Sequence, residues 1–386
     1  MAASFKSRQR ARLPQLEGDA RAGVSWQPDD RWLSDRGQPA ARLVIRSRAP
    51  LRLGLAGGGT DVSPYCDLYG GAVLNATVDL YAYATVEVLA EPRVEFLSAD
   101  LDDRVAYPAR AVLKVDGRLD LFKHVYNYVV REYHGGRPLP VRVSTHVDVP
   151  MGSGLGASSS LVVAMLKGYA EWLGVPLGDY ELAQTAYRIE RLQARLPGGR
   201  QDQYAAAFGG FNFMEFGAQE RVLVNPLRIR EWVVSELEAS LVLFYCGRSR
   251  VAEAIIAEQV RHVRQGEEVA LAAAHQVKQE AFRMKECLLR GDFARMHEVL
   301  RESWEAKRRM AAGICSTRLE TLYRRGLQAG AYCGRISGAG GAGFILFLVD
   351  PVRKARLCAA LRQVYRQGLV FGCHFTSAGT QAWRVQ

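Results

Sequence analysis

The sequence predicts an α+β protein in two lobes, and three observations carry that prediction. The chain has 386 residues, more than one ordinary domain of ~100–200 residues. From Arg42 to about residue 246 the patterning is mainly that of strands, and from Val251 to Leu327 it is mainly that of helices. A composition of 48% hydrophobic and 24% charged residues can build a sizeable core, which excludes wholesale disorder. The 37 glycines follow no three-residue period, so the chain is not collagen-like. No apolar run approaches the ~18–20 residues of a membrane-spanning helix, and residues 1–30 hold no apolar stretch of a secretory signal. Seven scattered cysteines, never spaced as C-x-x-C, fit free thiols in a reducing cytoplasm.

The net charge of +11, from 51 basic and 40 acidic residues, is ambiguous. It suits nucleic acid, an anionic membrane, phosphorylated small molecules, or arginines spread over solvated helix faces. The basic residues form no stripe interleaved with aromatics, so neither nucleic acid nor membrane is expected as a partner.

Residues 1–40 are polar, lack apolar periodicity and carry Pro14, Pro28 and Pro39; they read as a flexible extension. The stretch RLVIRSRAPLRLGLAGGGTD, from Arg42, alternates like a strand and then breaks into glycine. Gly71–Val88 reads as β structure, Leu121–Tyr133 as a helix, and Val141–Val149 as a half-buried strand. A glycine and serine loop follows, then a strong helix in SLVVAMLKGYAEWLG. A second helix starts at Asp179, an N-cap type of residue, and runs to about Leu196. FGGFNFMEF through Tyr245 is β-rich and closes the first half, with the seam near 247–251. The helices beyond are broken at Gly266, Gly291 and Gly313. The chain ends with a strand in FILFLV, a helix near 351–366 and a strand around Leu369–Thr376. There are no internal repeats.

The most informative segment is Pro150-Met-Gly-Ser-Gly-Leu-Gly-Ala-Ser-Ser-Ser160, set between a strand and a helix. Small residues let backbone N–H groups converge on an anion, and the helix N-terminus adds roughly half a positive charge. Ser158, Ser159 and Ser160 add hydroxyls for phosphate oxygens or a magnesium ion. A nucleotide P-loop is excluded because no Lys precedes the Ser. Gly152-x-Gly154-x-x-Ala157 matches the letters of a dinucleotide fingerprint, but its strand is not the near-continuous apolar run of a parallel sheet. A bare helix cap is the bland alternative, and three serines exceed what a cap needs. A second glycine run, Ser337–Gly343, opens onto a strand, so it suits close backbone approach to a ligand or to the first lobe. A third, Gly57–Asp61, is a turn carrying one carboxylate, suited to sugar hydroxyls. Glu190 and Asp202 follow the first loop; each is ordinarily a solvated acid unless the fold brings it to Ser158. No histidines have metal-ligand spacing, so zinc chemistry is not expected.

In order and spacing, the three loops together resemble the GHMP kinases, across residues 42–386. Arg48–Asp61 is similar to the family's first motif, Pro150–Ser158 to its ATP loop, and Ser337–Gly343 to its third motif. LAGGGTDVSPY and GGRQDQYAAAFGGFNFMEF further resemble the branch that phosphorylates a heptose 7-phosphate. The resemblance implies a two-lobed fold: an N-terminal lobe over 41–248 with a left-handed β-α-β unit, and a ferredoxin-like C-terminal lobe over 249–386. It implies ATP and Mg²⁺ as cofactors, and phosphoryl transfer from ATP to the anomeric hydroxyl of a sugar phosphate. ATP would lie against Pro150, Gly152, Ser153, Gly154, Leu155, Gly156, Ala157, Ser158, Ser159 and Ser160. Ser158 and Glu190 would hold the metal. Asp202 would be catalytic and Arg52 would stabilise charge near the transferring group. The acceptor would meet Gly58, Gly59, Thr60, Asp61, Gly338, Gly340 and Gly341, and Arg200 would grip its phosphate bidentately. Ordinary carboxylates titrate near pH ~4, so the aspartate's part is to orient the hydroxyl and take its proton late. Ala157 stands where the family often has serine, and Arg52 where some relatives have lysine. A kinase of a free sugar such as fucose, or a sensor without turnover, are the rival readings. A homodimer is compatible with the sequence but not argued by it.

Overall fold

The computed structural model describes residues 43–247 and 251–385. The expected extension over 1–40 and the expected lobe boundary at 248/249 lie outside the described residues. Two long antiparallel strands, β1 (Val44–Ala56) and β2 (Gly71–Val88), form the centre of the first sheet. The Gly57–Asp61 turn and a short helix, α1 (Tyr65–Tyr69), connect them. A hairpin of β3 (Arg93–Ser98) and β4 (Asp103–Pro108) follows, α2 (Asp120–Tyr133) crosses over, and β5 (Val141–Val147) returns parallel to β3 and antiparallel to β2. This β-α-β unit is the parallel element that the family resemblance implies.

The glycine and serine loop then leads into α3 (Ala157–Leu173), which is buried along almost its whole circumference. A helix apolar all round belongs in a core; here it packs on β1 and β2, between α2, α4 (Asp179–Tyr187) and α5 (Gln201–Phe208). The helix expected from Asp179 to Leu196 does form, but past Tyr187 it widens into a π-helical turn, Arg188–Gln193. Two strands, β6 (Phe211–Phe216) and β7 (Val222–Pro226), extend the first sheet beyond β2. A helix that patterning missed, α6 (Glu231–Ser240), precedes β8 (Leu241–Tyr245), because its Trp-Val-Val run reads equally well as strand.

Three long helices follow: α7 (Ala252–Gln265), α8 (Glu268–Arg290) and α9 (Phe293–Arg308). The first two end at Gly266 and Gly291, both in the left-handed conformation of a helix C-terminus. After α10 (Thr317–Gln328) come β9 (Ala331–Ile336), β10 (Phe344–Val349), α11 (Lys354–Val364) and β11 (Leu369–Phe371). The second sheet has the order β11-β8-β10-β9, all antiparallel. With helices between β8 and β9 and between β10 and β11, that is the ferredoxin-like arrangement. The last strand, β12 (Gln381–Val385), pairs with β1 in the first sheet.

The two sheets meet where the glycine runs interlock. A Cβ on Gly154 would lie 2.5 Å from the Ser337 carbonyl oxygen, and one on Gly338 would lie 2.7 Å from the Gly154 Cα. The Phe344 N–H donates to the Ser153 carbonyl at 3.0 Å, and the Ser337 hydroxyl to the Gly154 carbonyl at 3.1 Å. Of the two options open for Ser337–Gly343, the fold takes backbone contact with the first lobe. Gly338→Ala therefore costs about 1–3 kcal/mol from overpacking alone and lowers the melting temperature by several degrees. An unchanged melting temperature would show that the two loops are not in contact.

Candidate active site

A cavity of about 780 Å³ opens above the first glycine loop, lined by Gly152–Gly154, Gly156–Ser159, Glu190, Arg191, Asp202 and the second glycine run at Ser337, Ala339 and Gly340. Helix α3 begins at its floor with no side-chain cap, so the N–H groups of the first turn face an anion site. The serines divide their work. Ser158 and Ser159 line the cavity, whereas Ser160 is buried and donates to the Pro50 carbonyl at 3.0 Å. Leu155 is a core residue whose carbonyl accepts the Arg52 N–H, and Pro150 lies outside the cavity wall.

Glu190 is 1% exposed and fully satisfied. Ser158 Oγ donates to Oε1 at 3.0 Å, while Ser159 Oγ and Gln203 Nε2 donate to Oε2, each at 2.6 Å. Arg191 approaches Oε1 at 3.3 Å. The π turn adds one residue to the helical repeat at this point, and such turns recur at functional sites. Neither the turn nor Arg191 was legible in the sequence; Arg191 is one arginine in RIERLQARLPGGR, where a solvated face is the default.

Arg52 is buried and joins four groups. Its Nε donates to Asp202 Oδ1 at 2.7 Å, its Nη1 to the Gly154 carbonyl at 2.7 Å and to Ser337 Oγ at 3.2 Å, and its backbone N–H to Leu155. Asp202 is the second residue of α5, where the helix N-terminus favours negative charge. It lines both the large cavity and a neighbouring smaller one of about 180 Å³, which Arg52 also lines.

The smaller cavity holds Gly58, Gly59 and Asp61 from the first turn, Gly338, and the cations Arg52, Arg191, Lys307 and Arg335. Asp61 is nearly inaccessible; its carboxylate accepts from the Gly59 N–H, the Gln201 N–H and Gln201 Nε2 at 3.0–3.1 Å. It therefore ties the glycine turn to the start of α5, with some acceptor capacity left toward the cavity. Thr60 lies behind the wall and bonds the Gly57 and Ala72 carbonyls. Gly340 lines the larger cavity, and the Gly341 N–H bonds the Ile314 carbonyl. Lys307 carried no signal in the sequence, because WEAKRRM reads as the solvated end of a helix, and Arg335 is a single arginine in YCGRISG with nothing to mark it.

Arg200 is not brought to either cavity. It is buried, donating to the Gly217 carbonyl at 2.8 Å, Ser63 Oγ at 3.0 Å and Asp67 Oδ1 at 2.7 Å, and it stacks over Tyr187. A guanidinium so engaged anchors α5 to the α1 loop; it has no free fork to offer a substrate.

Known proteins share this sequence and fold. The family models described as GHMP kinases N terminal domain and GHMP kinases C terminal match residues 120–210 and 284–367. The chain is 47% identical over 342 residues to the D-glycero-alpha-D-manno-heptose 7-phosphate kinase of Campylobacter jejuni, covering 89% of this chain and 99% of that one. A crystal structure of a D-glycero-D-manno-heptose 1-phosphate kinase from Bacteroides thetaiotaomicron is 42% identical, with a TM-score of 0.75 and coverage of 89% of this chain and 99% of its own. A galactokinase of Lactococcus lactis, 18% identical over 88% of this chain and 95% of its own, shares the fold with a TM-score of 0.70.

Because Arg200 is structural, Arg200→Met lowers unfolding stability by about 1–3 kcal/mol, toward the low end since Asp67 can still reach water. Denaturant melting checks it. Full stability combined with a weakened acceptor affinity would return Arg200 to the binding site.

Proposed function

The chain belongs to the GHMP kinases, and we propose that it transfers the γ-phosphoryl group of ATP to the anomeric hydroxyl of D-glycero-D-manno-heptose 7-phosphate, giving the 1,7-bisphosphate. The observation that carries this reading is Asp202, paired with Arg52 and lining both the cavity floored by the phosphate loop and the smaller cationic one. The names of the two relatives both describe kinases of a phosphorylated heptose. A product of this kind suits nucleotide-activated heptose synthesis in the cytoplasm. Among the described residues, no helix is long and apolar enough to cross a membrane.

The chain's own residues divide the chemistry. The first glycine loop and the start of α3 bind the triphosphate through backbone N–H groups. The acceptor hydroxyl enters from the smaller cavity and meets Asp202, which orients it and takes its proton as the bond to phosphorus forms and ADP leaves. Arg52 holds Asp202 in place and carries positive charge beside the transferring group, where charge spreads over three oxygens. Burial of Arg52 and the half-buried position of Asp202 strengthen that interaction.

Mg²⁺ fits the residues present. Adjacent oxygens of an octahedral ion at ~2.0–2.1 Å lie about 2.9 Å apart, and Ser158 Oγ and Glu190 Oε1 are 3.0 Å apart. Among the described residues no cluster of three His, Cys, Asp or Glu could cage a metal, so Ser158 and Glu190 would share the ion with phosphates and water. When bound, it neutralises phosphate charge.

Asp202→Asn keeps an acceptor for Arg52 but removes its counter-charge, so it loses some stability; the folded variant loses turnover by at least ~10²-fold, measured as ADP release at saturating substrates. Near-normal turnover would remove Asp202 from the mechanism. The acceptor is tested with a panel of heptose 7-phosphate, heptose 1-phosphate, free heptose and fucose. Turnover with a free sugar but none with the 7-phosphate would sink the proposed substrate.

A further inference from the structure

Two cations in the smaller cavity lack a counter-charge. Lys307, in the last turn of α9, and Arg335, near the end of β9, are 3% and 1% exposed. Among the described residues, neither has a carboxylate oxygen within 4.0 Å. Lys307 Nζ donates to the Gly338 carbonyl at 2.7 Å, and Arg335 Nη1 to the Leu55 carbonyl at 2.5 Å, while Arg335 Nε has no partner. Arg335 feels Glu280 electrostatically, but burial pushes that carboxyl up toward its neutral form. Two desolvated cations side by side are costly to keep in a fold. Burial, then repulsion from Arg335 and Arg52, brings Lys307 down to about 7, and burial brings Arg335 down to about 10. A bound anion supplies the missing charge.

The two cations converge on Gly58. A Cβ there would lie 3.5 Å from Lys307 Nζ, 3.9 Å from Gln201 Nε2 and 4.0 Å from Arg335 Nη2. The absent side chain leaves a space framed by three nitrogen donors. A phosphate lying over the bare Cα of Gly58 meets both cations from one side, with charge-assisted hydrogen bonds of ~2.7–2.9 Å open to its oxygens. Arg52 and Arg191 also line this cavity, but each is already paired, with Asp202 and with Glu190, so neither is left without a counter-charge as Lys307 and Arg335 are.

We infer that Lys307 and Arg335, over the bare face of Gly58, cradle the phosphate that the acceptor already carries, and that this cradle makes the site prefer a phosphosugar to a free sugar. The inference rests on the phosphosugar reading above and names the residues that execute it. It also sets a pH dependence. The charged groups facing Lys307 are Arg335 from β9, Arg52 from β1, Asp61 from the first turn and Asp202 from α5. In the free enzyme Lys307 loses its proton as pH rises through about 7, so KM for the phosphosugar climbs above that pH. Phosphate, with its second pKa near ~6, stays dianionic there and does not mask the effect.

The test compares wild type, Lys307→Met, Lys307→Arg and Gly58→Ala with heptose 7-phosphate and with the unphosphorylated heptose. Lys307→Met raises KM for the phosphosugar by at least ~10-fold, as expected for losing a hydrogen bond to a charged group. Its kcat changes by less than about threefold and its KM for ATP by less than about twofold, so the preference for the phosphorylated acceptor falls by the same ~10-fold. Lys307→Arg recovers most of that preference, and Lys307→Met flattens the KM rise between pH ~7 and ~9. Gly58 has no left-handed φ and its neighbours sit at ordinary contact distance, so Gly58→Ala folds; its methyl occupies the cradle and raises the same KM. Gly58→Ala thus decides the matter even if Lys307→Met unfolds. Unchanged preference in both variants, with wild type active on the 7-phosphate, overturns the cradle while leaving the kinase reading intact. Wild type active on free heptose alone overturns both.

Discussion

The architecture depends on one buried guanidinium. Arg52 sits on the central strand of the first sheet, and its hydrogen bonds reach the phosphate loop, the second glycine run and the N-terminal turn of α5. A charge taken out of water is tolerable only when its donors are used and a counter-ion is present. Asp202 supplies the counter-ion; the Gly154 carbonyl and the Ser337 hydroxyl take two further bonds. The requirement to satisfy Arg52 therefore fixes where the two sheets meet. It also places a carboxylate and a cation where a phosphoryl group would pass.

Around that hub the remaining charges are sorted by side. Glu190, carried by a π turn and held by two serines and Gln203, stands at the phosphate loop. Lys307 and Arg335 line the smaller cavity, proposed above to take the acceptor, and the net charge of +11 acquires a partial explanation there. Many surface arginines are cancelled by exposed ion pairs such as Arg93–Glu91 and Arg290–Glu286; such pairs contribute little to stability. A few buried cations, rather than the net total, distinguish the site.

Gly71–Val88 and α2 were legible to within a residue, because α2 has one clean buried face and β2 is an apolar run buried on both faces over its first eight residues. The glycine runs gave away the phosphate loop because backbone conformation there demands residues without side chains. What escaped was long-range. Arg200 and Arg52 look alike as letters, yet one is walled in by Asp67 and Gly217 while the other lines the smaller cavity. Lys307 and Gly58 lie far apart along the chain, and only the docking of α9 against β1 and β9 brings them together. No periodicity encodes that contact. The π turn was invisible because an inserted residue leaves no compositional mark.

The account's central claim is that one site joins a second phosphate to the anomeric oxygen of a sugar that already carries one. Phosphorus NMR of the product, formed from ATP and D-glycero-D-manno-heptose 7-phosphate, tests this most directly. The predicted spectrum keeps the original phosphomonoester signal and adds one new resonance coupled to the anomeric proton, in step with ADP. Release of inorganic phosphate alone, or a new phosphate coupled to any other ring or side-chain proton, would contradict it.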